Sequence, residues 1–250
     1  MTKILTIIPA RMASTRLPNK PMADIGGEPM IVRVFKQAQK ANLGEVVVAC
    51  DSTEIAAAIT AAGGMAIITD ANLPSGTDRI FAALKQLPNY QQFEIIVNLQ
   101  GDLPVIDPQV IIAAAEAAVN SNADIATVAS VIKNSEEINN LNVVKIAIAF
   151  SENNKNGQKL GQALYFSRAA IPHGVGEYYH HIGIYAYKRE ALEKFVNLKP
   201  SALEMRESLE QLRALENQMK IIVQIVDSHP LSVDTKDDLE RVKNFLKLND

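Results

Sequence analysis

The sequence has little cysteine, no large excess of charge and no long hydrophobic run. Among its 250 residues there is one cysteine, Cys50, which excludes an intramolecular disulfide and a site built from several thiolates. Because 25 Lys and Arg nearly balance 28 Asp and Glu, the composition does not favour a protein that coats nucleic acid or an anionic membrane. No apolar stretch has membrane-spanning length, and no signal-peptide pattern is found. We therefore expect a cytoplasmic protein with neither nucleic acid nor membrane as a partner.

Two glycine-rich nucleotide motifs are also missing. The pattern GxxxxGK[ST] does not occur, and no GxGxxG follows the first apolar run at residues 4–10. These absences remove the main support for a GTPase and for an NAD dehydrogenase. The sequence also contains no internal repeat and no low-complexity tract.

The composition that remains is typical of a globular α/β protein. Apolar residues make up 48% and charged residues 21%, enough for a sizeable core. Over residues 1–130, short β-rich runs alternate with helix-like segments, which predicts a mostly parallel sheet covered by helices. Ligands of such sheets bind outside the carboxyl ends of the strands. We therefore expect the functional residues to lie there.

The predicted elements can be placed along the chain. Strands are expected over 4–10, 45–51, 64–70, 94–102, 124–131, 143–150, 181–187 and 220–227. Helices are expected over 29–42, 53–62, 77–87, 202–217 and 234–248. The polar segment 151–162 is typical of a hairpin or an exposed loop.

A basic, proline-rich loop follows the first predicted strand. Arg11, Arg16 and Lys20 fall within ten residues, and three prolines in the same stretch exclude a regular helix. Such a loop, with backbone N–H groups available around residues 13–15, can wrap a polyphosphate. Each cation alone is better explained as a solvated surface residue. The three together favour a phosphate site, in which Lys20 balances charge on a leaving pyrophosphate.

Two aspartates follow predicted strands elsewhere. Asp102 ends the segment 94–102, and Asp234 lies between the last strand and the closing helix. Both carboxylates are expected at the carboxyl edge of the sheet, where carboxylates and a nucleotide's own oxygens can hold Mg²⁺. Asp234 or Thr235 could instead cap the closing helix. Asp238, in the first turn of that helix, is explained by the helix dipole.

Seven blocks of the sequence carry a family resemblance that covers nearly the whole chain. The first, IIPARMASTRLPNKPMADIGGEPMI, resembles the opening signature of sugar-activating cytidylyltransferases, most closely those acting on 3-deoxy-manno-octulosonate (Kdo). The others follow in that family's order: SGTDRI, NLQGDLP, YFSRAAIP, HIGIYAY, LEQLRAL and VDTKDDLERV. The resemblance implies a Rossmann-like three-layer α/β/α nucleotidyltransferase fold with a mostly parallel central sheet and an inserted dimerisation and sugar-binding region.

The resemblance also implies how one cytidylyltransferase domain, 1–250, divides its tasks. Residues 1–130 would mainly bind CTP, 131–217 would mainly bind the sugar and dimerise, and 218–250 would supply a closing strand and helix. The implied reaction transfers CMP from CTP to the anomeric hydroxyl of Kdo and releases pyrophosphate, for lipopolysaccharide biosynthesis. Mg²⁺ is the implied cofactor, and the implied assembly is a homodimer through 163–200.

Functional residues follow from the same resemblance. Lys20, Asp102 and Asp234 are expected to be catalytic, and the two aspartates are expected to hold Mg²⁺. The residues expected to bind the nucleotide are Pro9, Ala10, Arg11, Ser14, Thr15, Arg16 and Lys20 in the loop, and Ser75, Gly76, Thr77 and Arg79 in a turn. This turn would hold cytosine and ribose, although its sequence is also good helix-capping chemistry. Both roles can coexist.

A sugar acid needs a cation for its carboxylate and mixed donors and acceptors for its hydroxyls. The matching positions of the family here are Gln100, Arg168, His181, Tyr185, Glu210 and Gln211. Without the resemblance, His181 and Tyr185 would be interpreted as polar tips of a half-buried strand. Glu210 would be interpreted as the helix partner of Arg213.

Three departures from the family pattern concern sugar and metal. Leu103 stands where the family usually has Glu, the 172–180 loop is shorter than expected, and His180 replaces the usual Arg. They keep open a related sugar acid, such as 8-amino-Kdo or sialic acid, and a non-catalytic nucleotide-binding relative. The presence of all three predicted catalytic residues argues against the non-catalytic relative.

Overall fold

The computed structural model describes residues 2–14, 16–150, 159–229 and 231–249. The chain forms two compact units, 1–112 with 230–250 (unit 1) and 113–229 (unit 2). The predicted assignment of tasks to 1–130, 131–217 and 218–250 stays a prediction.

The secondary structure follows the chain as a succession of strands and helices. The strands are β1 (Ile4–Ala10), β2 (Asp24–Ile25), β3 (Glu28–Pro29), β4 (Gly44–Cys50), β5 (Met65–Ile68), β6 (Ile95–Leu99), β7 (Ile125–Val131), β8 (Lys145–Phe150), β9 (Leu160–Ser167), β10 (Tyr179–Lys188) and β11 (Ile221–Ile225). The α-helices are α1 (Met30–Lys40), α2 (Thr53–Ala61), α3 (Gly76–Gln86), α4 (Pro108–Val119), α5 (Glu136–Asn139), α6 (Arg189–Val196), α7 (Ala202–Glu207), α8 (Leu212–Glu216) and α9 (Lys236–Asn249). Short 3₁₀ helices span Lys20–Met22 and Tyr90–Gln92.

Unit 1 is built on a parallel sheet with the strand order β5-β4-β1-β6. Strands β1 and β6 are apolar and almost wholly buried, as expected for central strands covered on both faces. Their parallel pairing brings the residues after β1 and after β6 to the same edge. The predicted α/β class with a parallel sheet is confirmed.

Unit 2 is built on a mixed sheet with the strand order β10-β7-β11-β9-β8. Strands β7 and β11 are parallel, whereas the pairs β10–β7, β11–β9 and β8–β9 are antiparallel. The register of β10 shifts between Ile182 and Tyr185, which changes the alternation of its side chains. Strand β10 also pairs with β8 through His180 and Lys145.

A hydrophobic cluster in unit 1 fastens the loop after β1 to the closing helix α9. Its buried members are Leu17 from the loop, Ile25, Met30, Val233 and Val242. Burying a side chain of this size contributes about 1.5–3 kcal/mol. The cluster therefore fixes both the loop that ends at Lys20 and the segment that carries Asp234.

The predicted secondary structure needs correction at several points. The helix expected over 202–217 is two helices, α7 and α8, because Ser208 adopts the left-handed conformation with φ 54° and ends α7. Helix α4 was not predicted, although Pro108 in its first turn and its alanine-rich run are helix signals. Of the segment 151–162, residues 151–158 lie outside the described residues, and residues 160–162 are the start of strand β9, which pairs antiparallel with β8.

No helix within the described ranges is both long and apolar enough to cross a membrane.

Candidate active site

A cavity of about 630 Å³ lies in unit 1, where the chain leaves β1 and β6. Most of its wall comes from three segments that were predicted to be functional from the sequence. They are the basic loop, the turn before α3 and the residues around Asp102. The wall comprises Pro9, Ala10, Arg11, Ala13, Ser14, Arg16, Lys20, Pro21, Leu73, Pro74, Ser75, Gly76, Arg79, Gln100, Gly101, Asp102 and Asp234. The size suits a nucleotide-sized ligand.

One ammonium group joins the two predicted metal ligands. Lys20 Nζ donates to Asp102 Oδ2 and to Asp234 Oδ1, at 2.9 Å in each case. Arg16 adds a second cation, with Nη2 3.2 Å from Asp234 Oδ2. Burial alone lowers the pKa of Lys20, but attraction to the two carboxylates outweighs it and the pKa is raised. Lys20 therefore carries its positive charge at neutral pH.

The start of α9 leaves Asp234 free for this contact. Thr235 Oγ1 accepts from the backbone N–H of Asp238, and Asp238 Oδ2 accepts from the backbone N–H of Thr235. Thr235 and Asp238 thus cap the helix reciprocally. The backbone N–H of Val233 donates to the carbonyl of Asp102 at 2.9 Å, which ties the two aspartate segments together.

Glycine at 101 allows β1 and the segment after β6 to approach closely. A Cβ atom at Gly101 would lie 2.8 Å from the carbonyl oxygen of Pro9, closer than real Cβ contacts. A side chain here would push apart the two strand ends that form the floor of the cavity. This residue was not among the predicted site residues, and its proximity to Pro9 is a long-range feature without a local sequence signal.

Arg79 reaches the cavity wall but is mostly engaged by protein groups. Its Nη1 donates to Thr69 Oγ1 at 2.7 Å and to the carbonyl of Asp70 at 3.2 Å, and its Nη2 lies 3.7 Å from Asp51 Oδ2. Asp51 also accepts from the backbone N–H of Met12 at 3.0 Å, so it links this arginine to the basic loop. Asp51 was missed, although a polar residue directly after β4 is a recognisable signal.

The predicted nucleotide residues are largely brought together. Ser75 caps α3 by accepting from the backbone N–H of Asp78, which confirms the capping alternative for that turn. Thr77 is buried and does not appear in the cavity wall. Thr15 lies outside the described residues. The nucleotide contacts themselves stay predictions.

The donor set at Asp102 and Asp234 fits Mg²⁺. Both carboxylates reach the same ammonium nitrogen, so their oxygens lie near enough to share one cation. Hard divalent cations prefer oxygen ligands, and Mg²⁺ commonly uses one or two carboxylates with water and phosphate oxygens. The side chains are 27% and 38% exposed, which leaves room for those further ligands.

The sugar residue Gln100 lies in the cavity wall of unit 1, where its Nε2 donates to Asn98 Oδ1 at 2.9 Å. The other predicted sugar residues belong to unit 2. There Arg168 is held by backbone carbonyls: its Nε donates to Glu207 and its Nη1 to Leu141, both at 3.0 Å. Its own carbonyl accepts from Lys145 Nζ at 2.5 Å. A guanidinium fixed in this way is suited to orienting a carboxylate.

His181 and Tyr185 stand side by side on β10, with ring centroids 5.4 Å apart. His181 is buried, with Nε2 3.0 Å from Thr127 Oγ1, and burial lowers its pKa to about 3. Burial likewise raises the pKa of Tyr185 well above its usual value. Both side chains are therefore uncharged at neutral pH, and suited to hydroxyl groups rather than to a charged group.

Glu210 and Gln211 lie just before α8, next to a buried ion pair. Arg213 donates to both carboxylate oxygens of Glu204, through Nε at 2.8 Å and Nη2 at 2.5 Å. Glu210 Oε1 is 3.9 Å from Arg213 Nη2, so the helix-pair alternative for Glu210 is present as a long contact. Gln211 is buried. The sugar-binding roles of these residues stay predictions.

The fold and the site are typical of an enzyme that transfers nucleotides. Comparison with known proteins shows which family of such enzymes the chain belongs to. A family model described as Cytidylyltransferase matches residues 5–221. The match includes the basic loop and Asp102 and ends at the first residue of β11, so it covers well over half of the chain, and the chain belongs to the cytidylyltransferase family.

Relatives that match nearly the whole chain indicate a more specific group within this family. A 3-deoxy-manno-octulosonate cytidylyltransferase of Paramagnetospirillum magneticum is 51% identical, over 97% of either chain. Another, of Rhodospirillum rubrum, is 52% identical over 97% of this chain and 95% of that protein. A solved structure of CMP:2-keto-3-deoxy-manno-octonic acid synthetase complexed with CTP matches 99% of this chain and 100% of that chain, with 35% identity and a TM-score of 0.88.

Proposed function

We propose that this protein transfers CMP from CTP to the anomeric hydroxyl of Kdo, giving CMP-Kdo and pyrophosphate. The observation that carries the proposal is the pair Asp102 and Asp234, joined by Lys20 on the wall of a nucleotide-sized cavity. The relatives named above support the choice of CTP and Kdo.

The reaction exchanges one phosphorus–oxygen bond for another. The anomeric oxygen of Kdo attacks the α-phosphorus of CTP and forms a new bond. The bond from the α-phosphorus to the oxygen bridging to the β-phosphorus breaks, and its electrons leave with pyrophosphate. The hydroxyl proton passes to solvent. Because no covalent enzyme intermediate is required, the protein contributes mainly by positioning and by stabilising charge.

The residues of unit 1 provide that stabilisation. Arg11, Arg16 and Lys20 hold the triphosphate, and Lys20 offsets charge on the departing pyrophosphate. Asp102 and Asp234 would hold Mg²⁺, whose chemistry when bound is to offset negative charge on phosphate oxygens and favour ionisation of the attacking hydroxyl. Leu103, in place of an acid, leaves these two carboxylates intact.

The residues of unit 2 supply groups for the sugar acid. The Arg168 guanidinium is the cation for the Kdo carboxylate. His181 and Tyr185, both uncharged at neutral pH, donate to or accept from sugar hydroxyls, as do Gln211 and Glu210. This proposal is supported by the chemistry of the side chains and by the similarity to Kdo cytidylyltransferases.

Several finer features belong to the same proposal. We infer Mg²⁺ as the cofactor, a homodimer formed through 163–200, a cytoplasmic location and a role in lipopolysaccharide biosynthesis. The carboxylate pair supports the first. The others follow from the family resemblance of the sequence.

The test is pyrophosphate release by purified protein with CTP and Mg²⁺, with Kdo, 8-amino-Kdo and sialic acid offered in parallel. We expect release with Kdo and its loss in Asp102→Ala. Release only with another acid would move the assignment to a sister specificity. No release with any acid would support a non-catalytic nucleotide-binding protein and contradict the proposal.

A further inference from the structure

Three side chains with metal-binding atoms lie close together in unit 2. None of them belongs to the carboxylate pair Asp102 and Asp234, which is in unit 1. The three are Glu137 in α5, His180 in β10 and His229 after β11, and their ligand atoms all lie within 4.8 Å of one another. We call them the His-Glu cluster. Two imidazoles and one carboxylate are a recurrent ligand set for Zn²⁺ and similar ions.

The fold brings the three residues together from a helix, a strand and the segment after another strand. His180 pairs with Ser130 at the end of β7, and α5 follows that end after a short turn. Strand β11 runs parallel to β7, so the chain leaves β11 at the same end before reaching His229. His180 and His181 are adjacent on β10, and their contacts differ: His181 contacts Thr127 and Phe166, whereas His180 contacts Glu137.

One carboxylate oxygen in the cluster is left without a hydrogen bond. Glu137 Oε2 is buried and has no hydrogen-bond partner among the described residues, and it lies 3.5 Å from His180 Nδ1. A carboxylate oxygen that loses water without gaining a partner is destabilising. A cation bound at this oxygen would remove that cost.

The Lys145 ammonium does not supply that cation, because it donates to the carbonyls of Val143, Asn140 and Arg168. The group that Glu137 Oε2 faces is instead the imidazole of His180, whose ring nitrogen is itself a metal-binding atom.

The geometry is close to that of a bound ion. With bonds of about 2.0–2.1 Å, ligands of a tetrahedral Zn²⁺ lie roughly 3.3–3.5 Å apart. The Glu137–His180 separation of 3.5 Å already meets this distance. His229 is the exposed member, so its side chain can close the remaining gap at little cost. Ser130 Oγ lies 3.2 Å from His229 Nδ1 and can orient that ring as an outer hydrogen-bond partner.

We propose that the His-Glu cluster binds a divalent transition-metal ion of the Zn²⁺ type, with one position open to water. This site is additional to the Mg²⁺ site proposed at Asp102 and Asp234, which offers only oxygen ligands.

The test measures Zn²⁺ binding by the whole chain without an affinity tag. The protein is titrated with Zn²⁺ in the presence of excess Mg²⁺, and a competing chelator sets the concentration of free Zn²⁺. We expect one tightly bound Zn²⁺ per chain. Removing one of three ligands in Glu137→Gln, His180→Gln or His229→Gln should weaken binding by at least about 100-fold, and Ser130→Ala by about 10-fold. His173→Gln, which removes an exposed histidine outside the cluster, is the matched control.

Two further measurements make the result specific. Co²⁺ should give visible absorption bands in the wild type and in Asp102→Asn, and lose them in His229→Gln. Because His229 is exposed, this variant should unfold like the wild type in the absence of metal. Equal Zn²⁺ affinity of the wild type and His180→Gln would overturn the proposal, as would equal weakening by His173→Gln or loss of the Co²⁺ bands in Asp102→Asn.

Discussion

At the scale of residues, the proposed chemistry depends on one ammonium shared by two carboxylates. Lys20 is 82 positions from Asp102 and 214 from Asp234, so no local pattern indicated this contact. The residue types and their places after strands were predictable, because strand ends collect functional side chains in α/β sheets. The mutual geometry was not, because it depends on the packing of segments far apart in the chain.

Lys20→Met should lower kcat by about 10²–10³, the range found when one preorganised charge-stabilising donor is removed. The loss arises because the departing pyrophosphate no longer meets a fixed cation. Steady-state pyrophosphate release measures it. Lys36→Met is the control, since Lys36 in α1 is half-exposed, pairs with Glu28 and is not part of the cavity wall. A variant at position 20 with full kcat would contradict the assigned role.

Glu204→Gln should reduce the free energy of unfolding at pH 7 by about 3 kcal/mol, because it removes the negative charge from a largely buried ion pair with Arg213. Burial raises the pKa of Glu204, but hydrogen bonds from Arg213 and Ser201 outweigh it and the pKa is lowered. The ionised pair therefore stabilises the fold fully above the unfolded pKa of about 4.3, and this contribution is lost as pH falls through the folded pKa.

Urea unfolding of the wild type and Glu204→Gln from pH 7 to pH 3 measures this contribution. The difference between the two proteins should be largest at pH 7 and shrink below about pH 4.3. Glu190→Gln, which removes an exposed carboxylate near Arg189, should change stability little at any pH. A difference between the wild type and Glu204→Gln that does not vary with pH would show that ionisation of the pair is not responsible.

At the scale of elements, the strands and most helices of unit 1 were predictable from periodicity. Strand β1 and helix α1 lie within one or two residues of their predicted bounds. Helix α4 was missed because its alanine-rich sequence has few polar residues, so the helical periodicity of polar and apolar positions is weak. The break between α7 and α8 depends on the left-handed conformation of Ser208. It could not be predicted, because no glycine or proline marks a helix end at this position.

Helix α9 is predicted to support the site through its buried face. Val242→Ala removes two methyl groups from the cluster that joins α9 to the loop carrying Leu17, and should lower the free energy of unfolding by about 2 kcal/mol. It should also weaken CTP binding several-fold, because Asp234 lies between this helix and Val233, another member of the cluster. Calorimetric titration with CTP and urea unfolding measure both effects.

Val47→Ala is the matched control for this experiment. Val47 is buried in β4, so its truncation should cost similar stability. CTP affinity should then change only in Val242→Ala. Equal weakening of CTP binding by both variants would indicate a general loss of stability and would contradict a specific role of α9.

At the scale of the whole molecule, the family resemblance of the sequence and the comparisons agree. The chain matches Kdo cytidylyltransferases over nearly its full length, and the structure matches a related synthetase solved with CTP. The strand order of the mixed sheet in unit 2 was not predictable. Nothing in the local sequences of β8, β9 and β10 indicates which strands they pair with. Most of the predicted sugar residues belong to unit 2, so their arrangement depends on this sheet and could not be derived from the sequence.

The central claim is that the anomeric oxygen of Kdo replaces pyrophosphate on the α-phosphorus of CTP. The most direct test uses Kdo labelled with ¹⁸O at the anomeric hydroxyl, with CTP, Mg²⁺ and the protein, and observes the products by ³¹P NMR. The account predicts CMP-Kdo with the label between carbon and phosphorus, and unlabelled pyrophosphate. Absence of CMP-Kdo, or a product that has lost the label while the remaining Kdo keeps it, would contradict the account.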